Sequence, residues 1–389
     1  MNNILKKIES IMTSKRKAGL ISFESLLFML SLIYGGAVKT REAFYNRGVL
    51  RSKKLPCIVI SIGNITVGGT GKTPMTIHVA ELVKRLGYKV AVISRGYKGL
   101  AEKTGGIVSD GKTIFMEADK AGDEPFMMAN RLKSIPVVVG KNRFNAGMTA
   151  LNSFNPDVIV LDDAYQHLRL KRDIDLVLLD SICPFGNHRL LPRGTLREPL
   201  SALMRSDAFI LTRSDVAKEP ESTYNSVKLK SCARGKPIFK AIHVPYIYEV
   251  VKGGAVSSQG IYGDSCTQGF EFLRGRPAFV FSGIARNIDF YNTVKGFNCK
   301  VTGCSEFTDH HRYTDRDLNM ILQSAKESNA DFIITTEKDY ARIANRIAWP
   351  IDLVVVGIKI SFENYDNEFN LFIKNRLKKL IQANEISSF

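Results

Sequence analysis

A glycine-rich stretch between an apolar strand and a helix constrains the fold of this chain more than any other feature. The stretch covers Ser61–Thr73 and ends in Gly-Lys-Thr. Cys57–Ile60, before it, is predicted to be a β-strand, and Pro74–Leu86, after it, carries apolar residues near helical spacing. A strand, a glycine-rich turn, Gly-Lys-Thr and a helix form the layout of a phosphate-binding loop.

The loop predicts a nucleotide site, because glycines let backbone N–H groups point into one concavity and the helix adds its positive end. Lys72 is expected to reach the β- and γ-phosphates, and the Thr73 hydroxyl is expected to hold Mg²⁺. The pattern departs from the usual one, which has a glycine where Thr66 stands. A solvated turn is the alternative. The residues expected to bind the nucleotide are Thr66, Val67, Gly68, Gly69, Thr70, Gly71, Lys72 and Thr73.

Length and charge set the broad class. A chain of 389 residues predicts two domains. Lysine and arginine total 55 against 38 acidic residues, a net charge of +17. Such an excess suggests an anionic partner: nucleic acid, acidic lipid or a phosphorylated substrate. The six cysteines contain no Cys-x-x-Cys pair, which argues against a zinc site or a disulfide framework and fits a reducing compartment.

Residues 1–40 are expected to contain an apolar membrane-associating helix. Glu24 is the only charged residue between Gly19 and Val38, and lysines and arginines flank this segment on both sides. A spanning helix needs about 20 apolar residues, so the segment barely qualifies. Three arrangements stay open: a helix lying in the membrane interface, which the basic flanks favour, a single span, and a buried core helix.

The rest of the chain alternates apolar runs with helical segments. Strands are predicted at 89–94, 135–140, 157–163, 174–180 and 208–215. Residues 41–236 are therefore expected to form a doubly wound parallel-sheet domain of the P-loop type, with its site at the carboxyl ends of the strands. Residues 237–389 are expected to form a smaller α/β domain. A Gly- and Ser-rich region at 253–269 has no predicted element.

Acidic residues mark two further candidate positions. Asp162 and Asp163 close a strand, where a P-loop protein usually places its second Mg²⁺ ligand. Asp123 and Glu124 open a predicted helix, and one of them could act as a base toward an attacking hydroxyl. Glu124 is also a candidate metal ligand. The alternatives are turn residues at the first pair and stabilisation of the helix end at the second.

Other polar residues are candidates for the same cleft. Gln166 and His167 follow the acidic pair within one turn. The loop at 187–199 carries three arginines, whose forks match phosphate oxygens, although it could be a solvated basic loop. His310 and His311 are adjacent and cannot both face one metal on a helix, which excludes a zinc site. One of them could orient a carboxylate or take part in proton transfer.

The order of these motifs resembles the tetraacyldisaccharide 4′-kinase family, the lipid A 4′-kinases. The resemblance covers about residues 20 to 360 and includes the shifted glycine pattern of the loop. The matching segments are Gly63–Pro74, Ser94–Tyr97, Gly122–Pro125, Leu161–His167, Leu191–Pro199, Asp309–Tyr313 and Thr335–Asp339.

The resemblance implies transfer of the γ-phosphoryl group of ATP, with Mg²⁺, to the 4′-hydroxyl of a lipid-linked disaccharide 1-phosphate in lipid A biosynthesis. It also implies an active site on the cytoplasmic face of the bacterial inner membrane. It makes Asp123 the base, supported by His310 or His311, and makes Arg197 a stabiliser of charge. Lys72 and Thr73 would bind phosphate and Mg²⁺, while the Asp162–Asp163 pair would serve metal and nucleotide.

Two other functions stay open. A soluble P-loop kinase or NTPase acting on another anionic substrate fits the charge. However, no aromatic-rich basic stripe indicates nucleic-acid binding, so no nucleic-acid partner is expected. A membrane-docked nucleotide switch would need no base, and the paired acidic residues and paired histidines argue against it. The expected partners are the lipid-linked disaccharide and a membrane surface with anionic lipids.

Overall fold

The computed structural model describes residues 8, 10–12, 22–215, 223–254, 269–344 and 346–386. Three parts of the chain discussed above lie outside these ranges. They are the basic residues before the N-terminal apolar segment, the first three residues of that segment and most of the 253–269 region. Cys266 also lies outside these ranges, and the described cysteines are free thiols.

Helix α1 (Phe23–Asn46) precedes the first strand. The Ser22 hydroxyl accepts a hydrogen bond from the Ser25 N–H and caps the helix. Leu27, Ser31 and Gly35 recur every four residues and form its buried stripe. The other face is apolar but exposed, with Ile33 69% exposed. Among the described residues, no helix is long and apolar enough to cross a membrane.

The first sheet has eight strands in the order β3-β4-β2-β5-β1-β6-β7-β8. All its pairings are parallel except that of β3 with β4. The strands are β1 (Ile58–Asn64), β2 (Val90–Ser94), β3 (Gly106–Ser109), β4 (Val137–Val139), β5 (Val158–Leu161), β6 (Ile174–Asp180), β7 (Ala208–Thr212) and β8 (Ile238–Lys240). The helices are α2 (Lys72–Arg85), α3 (Ala118–Ala121), α4 (Asp123–Arg131), α5 (Arg143–Phe154) and α6 (Thr223–Ala233).

Both faces of this sheet are covered, which explains its continuous apolar strands. Ile58, Ile60 and Ile62 point to the face that packs on α2 and α4, whereas Val59 packs on the opposite face with Ala146 of α5. The predicted doubly wound α/β class is confirmed. The antiparallel edge strand β3 was not predicted.

The second sheet has five strands in the order β11-β10-β12-β13-β9, with β9 antiparallel to β13. Its strands are β9 (Ile242–Val251), β10 (Pro277–Ser282), β11 (Lys300–Glu306), β12 (Phe332–Thr336) and β13 (Asp352–Ser361). Its helices are α7 (Asn287–Lys295), α8 (Asp315–Glu327) and α9 (Glu337–Ile343). We call these elements the second lobe, and the first sheet with its helices the first lobe.

The chain returns to the first lobe after β13. Helix α10 (Asp366–Ile386) buries Phe369, Ile373 and Leu377 in the core beside α2. The first sheet also continues through β8, past the boundary expected near residue 236. The second lobe therefore lies within the sequence of the first, and its first and last residues, Ile242 and Ser361, pair across the β9–β13 ladder.

Candidate functional site

The glycine-rich loop connects the carboxyl end of β1 to the start of α2. Gly71 adopts a left-handed φ of 81° immediately before the helix, a conformation that favours glycine. A side chain there would also collide with the His243 ring, whose Nε2 would lie 2.4 Å from an added Cβ. The Asn64 side-chain amide donates to Thr70 Oγ1 at 3.0 Å and holds the loop's shape.

The predicted nucleotide-binding residues divide into two groups. Gly68 to Thr73 line a large cavity, with Lys72 and Thr73 in the first turn of α2. Thr66 and Val67 instead pair through their backbones with Leu196 and Thr195 of the arginine-bearing loop. The loop thus presents a helix N-terminus and a lysine to the cavity, as a phosphate site requires.

Asp163 lies between two cations. Lys72 Nζ is 3.8 Å from Asp163 Oδ1, and Arg197 Nη1 donates to both Asp163 oxygens at 3.1 Å. Burial would raise the pKa of Asp163, but Lys72 and Arg197 hold it below its ordinary value. Asp163 therefore orients the loop lysine and Arg197 in the described structure.

Asp162 is deeply buried beside them, with 2% of its surface exposed. It accepts hydrogen bonds from Thr76 Oγ1 at 3.0 Å and Ser94 Oγ at 3.3 Å. Burial, then the neighbouring charge of Glu124, then that of Asp163 raise the pKa of Asp162. Carboxylates crowded in this way are a donor set whose repulsion a divalent cation would relieve.

The described residues contain no cluster of three or more His, Cys, Asp or Glu side chains that could hold a metal ion by themselves. Mg²⁺ seldom needs such a cluster, since it usually takes one or two carboxylates, substrate phosphates and water. Thr73, Asp162 and Glu124 all line the cavity next to the loop, so the residues present fit Mg²⁺ bound together with a nucleotide.

Gln166 and His167 also line the cavity. The Gln166 amide donates to Asn64 O at 2.8 Å and so ties this turn to the end of β1. His167 Nε2 is buried and has no hydrogen-bond partner among the described atoms. Burial, reinforced by nearby arginines, lowers the pKa of His167 to about 4, which leaves the ring neutral.

Asp123 and His310 come together from different lobes. His310 Nδ1 lies 2.8 Å from Asp123 Oδ2, whereas His311 Nε2 lies 3.1 Å from Asp317 Oδ2 on α8. The structure thus pairs His310 with Asp123, a choice that the sequence left open. The Asp123 side chain is 14% exposed, and it contacts His310 without lining the cavity itself.

Arg342 is the main residue of this cluster that sequence reasoning missed. Its Nη2 donates to Asp123 Oδ2 at 2.6 Å, and its Nη1 donates to Asp339 Oδ1 at 3.2 Å. Burial would raise the pKa of Asp123, but hydrogen bonds from His310 and Arg342 hold it well below its usual range. A signal was present, because Arg342 follows Lys338 of the recognised motif by four residues, on the same face of α9.

The cavity between the lobes has a volume of about 1570 Å³. Pockets for one small ligand typically measure about 300–1,000 Å³, so this one has room for a nucleotide and part of a second substrate. Lysines and arginines outnumber aspartates and glutamates among its lining side chains by 12 to 7, which favours anionic occupants. Arg197, His310 and Lys338 are among them.

Comparison with known proteins gives consistent matches. A family model described as tetraacyldisaccharide-1-P 4′-kinase matches residues 23–378. A tetraacyldisaccharide 4′-kinase of Desulfatibacillum aliphaticivorans is 37% identical over 379 residues, covering 97% of this chain and 99% of the relative. One from Syntrophus aciditrophicus is 40% identical over 356 residues, covering 88% and 92%. The crystal structure of LpxK from Aquifex aeolicus in complex with ATP has a TM-score of 0.71 and 30% identity, covering 92% of this chain and 100% of that chain.

Proposed function

This chain belongs to the tetraacyldisaccharide-1-P 4′-kinase family, and from that membership we propose how its own residues carry out the family reaction. The protein is a lipid kinase that transfers the γ-phosphoryl group of ATP to the 4′-hydroxyl of a tetraacyldisaccharide 1-phosphate, a step in lipid A biosynthesis. One observation supports the assignment of roles most strongly. The phosphate-type loop and His310, which contacts Asp123, line a single cavity between the two lobes.

In the proposed mechanism, Lys72 and the loop N–H groups bind the β- and γ-phosphates. Thr73 and Asp162, with Glu124 and Asp163 nearby, would hold Mg²⁺, which neutralises charge on the phosphates when it is bound. Arg197 stabilises the charge that develops on the transferring group, and Asp163 keeps its guanidinium directed toward the loop.

Asp123 acts as the base in this proposal. A sugar hydroxyl is a poor nucleophile at neutral pH, and phosphoryl transfer is helped by a carboxylate that positions it and accepts its proton late. Arg342 and His310 keep Asp123 ionised. Asp123 Oδ2 accepts the hydrogen bonds of both His310 and Arg342. Because Asp123 Oδ1 accepts none from the described residues, it is the oxygen left for the substrate hydroxyl.

The membrane arrangement is also a proposal. Helix α1 presents an exposed apolar face, including Leu26, Met29, Leu32 and Ile33, while its buried stripe packs on the first lobe. The Tyr34 hydroxyl donates to the Arg197 carbonyl at 2.8 Å, which connects this helix to the site. We propose that α1 lies in the interface of the inner membrane, on its cytoplasmic face, where anionic lipids attract the basic protein and the lipid substrate enters beside the helix.

The test is product formation. The purified protein is mixed with ATP, Mg²⁺ and a tetraacyldisaccharide 1-phosphate in detergent, and the product is examined by mass spectrometry for one added phosphate at the 4′ position. Lys72→Ala should lower kcat/KM by about 10²-fold or more, the scale of losing one preorganised charge contact. Lys84→Ala, at the other end of α2, should match the wild type. A rate of ATP turnover that does not depend on the lipid would contradict the assignment as a lipid kinase.

A further inference from the structure

The ammonium of Lys338 lies against the His310 ring on the side away from Asp123. Lys338 Nζ is 3.1 Å from His310 Nε2, 3.0 Å from Asp309 Oδ1 and 3.6 Å from Glu124 Oε1. The side chain is only 18% exposed. The ammonium thus donates to two acceptors, His310 Nε2 and Asp309 Oδ1, and Glu124 lies within ion-pair distance. Lys338 has no role in the proposed phosphoryl-transfer mechanism.

Donor and acceptor chemistry decides which ring nitrogen of His310 carries hydrogen. An ammonium has no lone pair to offer, so His310 Nε2 must be the acceptor and cannot carry a proton. His310 Nδ1 then carries the hydrogen and donates it to the Asp123 carboxylate, which can only accept. The opposite tautomer would set an N–H against the ammonium and a lone pair against the carboxylate. An imidazolium would also place an N–H against the ammonium.

The other groups around His310 are compatible with a hydrogen on Nδ1 and none on Nε2. Arg342 Nη2 is 3.4 Å from His310 Nδ1, but its shorter contact of 2.6 Å is to the Asp123 carboxylate. Asp309 Oδ2 is 3.9 Å from His310 Nε2, beyond hydrogen-bond range, and Lys338 occupies the other Asp309 oxygen. The Tyr97 ring meets His310 edge-on, with centroids 5.4 Å apart.

We propose that Lys338 is a positioning residue that fixes His310 as the neutral Nδ1–H tautomer, so that His310 orients Asp123 and does not receive the substrate proton. The proposal rests on the proposed role of Asp123 as the base. In the step, the 4′-O–H bond breaks and its proton forms an O–H bond on Asp123. The 4′-oxygen bonds to the γ-phosphorus as the bond from phosphorus to the leaving ADP oxygen breaks. The proton then leaves Asp123 to solvent, not through His310.

The direct test is the tautomer itself, measured in the full-length protein. With ¹⁵N-labelled histidine, the ring nitrogens are observed by NMR at pH 7.5, and the His310 signals are identified by their loss in His310→Gln. The expected spectrum has a protonated Nδ1 and an unprotonated, pyridine-type Nε2. An Nε2–H tautomer or an imidazolium in the wild type would overturn the proposal.

Substitution of Lys338 gives a second readout. Lys338→Met removes the donor beside Nε2, so Asp309 can favour hydrogen on that nitrogen and the Nδ1–H form should lose population. We expect kcat to fall about 10-fold, the usual scale for losing a group that orients a catalytic side chain, with KM for ATP unchanged. Lys338→Arg keeps a donor and should restore most of both signals. An unchanged Nδ1–H signal in Lys338→Met would overturn the proposal.

The control is Lys326→Met, an exposed lysine in the last turn of α8 of the same lobe, which should change neither the spectrum nor kcat. The two proposals can fail separately. Absence of 4′-phosphorylated product would remove the kinase assignment and leave the tautomer measurable. The wrong tautomer in an enzyme that forms product would remove only the role of Lys338.

Discussion

His310 and His311 are neighbours in sequence but contact partners on opposite sides of their turn. His310 has a positive φ of 58°, a left-handed conformation that is uncommon for any residue with a side chain. This local reversal directs its ring toward Asp123 while His311 turns to Asp317 on α8. Sequence could place the pair near the cleft, but it could not choose between them, because spacing does not reveal the sign of φ.

The two histidines provide a matched test of the base. Asp123→Asn should lower kcat strongly with little change in ATP affinity, since the proposed contact is with the acceptor. Combining it with His310→Ala should cost much less than the product of the two separate fold-losses, because partners in one unit are not additive. The measurement is steady-state kinetics of the single and double variants.

His311→Ala is the control for that cycle. It removes a contact with Asp317 rather than with Asp123, so its effect should combine additively with that of Asp123→Asn. Additive losses for His310 as well would separate it from Asp123. A large loss of ATP affinity in Asp123→Asn would instead make Asp123 a nucleotide or metal ligand.

Among the elements, the ones organised around the glycine-rich loop were predicted best. β1, the loop and α2 each carry a strong local signal: a β-branched run, glycines before Gly-Lys-Thr, and helical spacing. β3 and β9 were not identified as antiparallel strands, since pairing direction depends on distant partners such as Val139 and Val355. α10 spaces Phe369, Ile373 and Leu377 for one helical face, but nothing local indicates that this face packs on the first lobe.

Helix α1 gives a prediction about its exposed face. Met29→Glu with Ile33→Glu should weaken binding to anionic phospholipid vesicles, because both side chains are exposed and would have to enter the interface with a charge. The buried stripe of Leu27, Ser31 and Gly35 is left intact, so the fold should be retained. Vesicle co-sedimentation measures the effect.

The comparison variant for the vesicle experiment is Leu371→Glu. Leu371 is an exposed apolar residue on α10, and its substitution adds a charge of the same kind at another helix surface. It should leave a larger bound fraction than the α1 double variant. Equal binding by the wild type and the α1 variant would show that the basic surface suffices and that this face does not enter the membrane.

In the whole molecule, ion pairs join the two lobes around the cavity. Arg286 of the second lobe pairs with Asp180 at 2.8 Å, Arg131 of the first lobe with Glu337 at 3.7 Å, and Arg342 with Asp123 at 2.6 Å. These ion pairs neutralise acidic residues whose charge would otherwise repel an anionic substrate. The sequence showed the basic excess of the chain but could not show which acidic residues these cross-lobe pairs neutralise.

His78 should contribute stability to the whole molecule that is lost in mild acid, because its buried ring is neutral in the folded state. The His78 ring packs against the stacked Phe362 and Phe369 rings, its Nε2 has no hydrogen-bond partner among the described atoms, and burial lowers the pKa of His78 to about 4. Its pKa in the unfolded chain is about 6.5. The unfolded state therefore binds more protons between these values, so this stability is complete above about pH 6.5 and declines as pH falls toward 4.

The size of that decline follows from the pKa difference, at about 1.4 kcal/mol for each unit. Urea unfolding at a series of pH values from 8 to 4 measures the free energy of unfolding of the wild type and of His78→Phe. His78→Phe removes one titrating ring and keeps an aromatic side chain, so the stability of the wild type relative to this variant should fall below pH 6.5, with pH 8 as the baseline for any packing change. Parallel curves would show that folding does not lower the pKa of His78.

The side-by-side pairing of Ile242 and Ser361 has a mechanical consequence. The chain enters the second lobe through β9 and leaves it through β13, and these two strands form one hydrogen-bonded ribbon. Such a ribbon can flex across its flat face, whereas sliding one strand along the other would break its ladder of hydrogen bonds. A movement of the second lobe relative to the first would therefore have to bend these two strands, because sliding one along the other would break their hydrogen bonds. The paired strands thus limit the directions in which His310 could move away from Asp123.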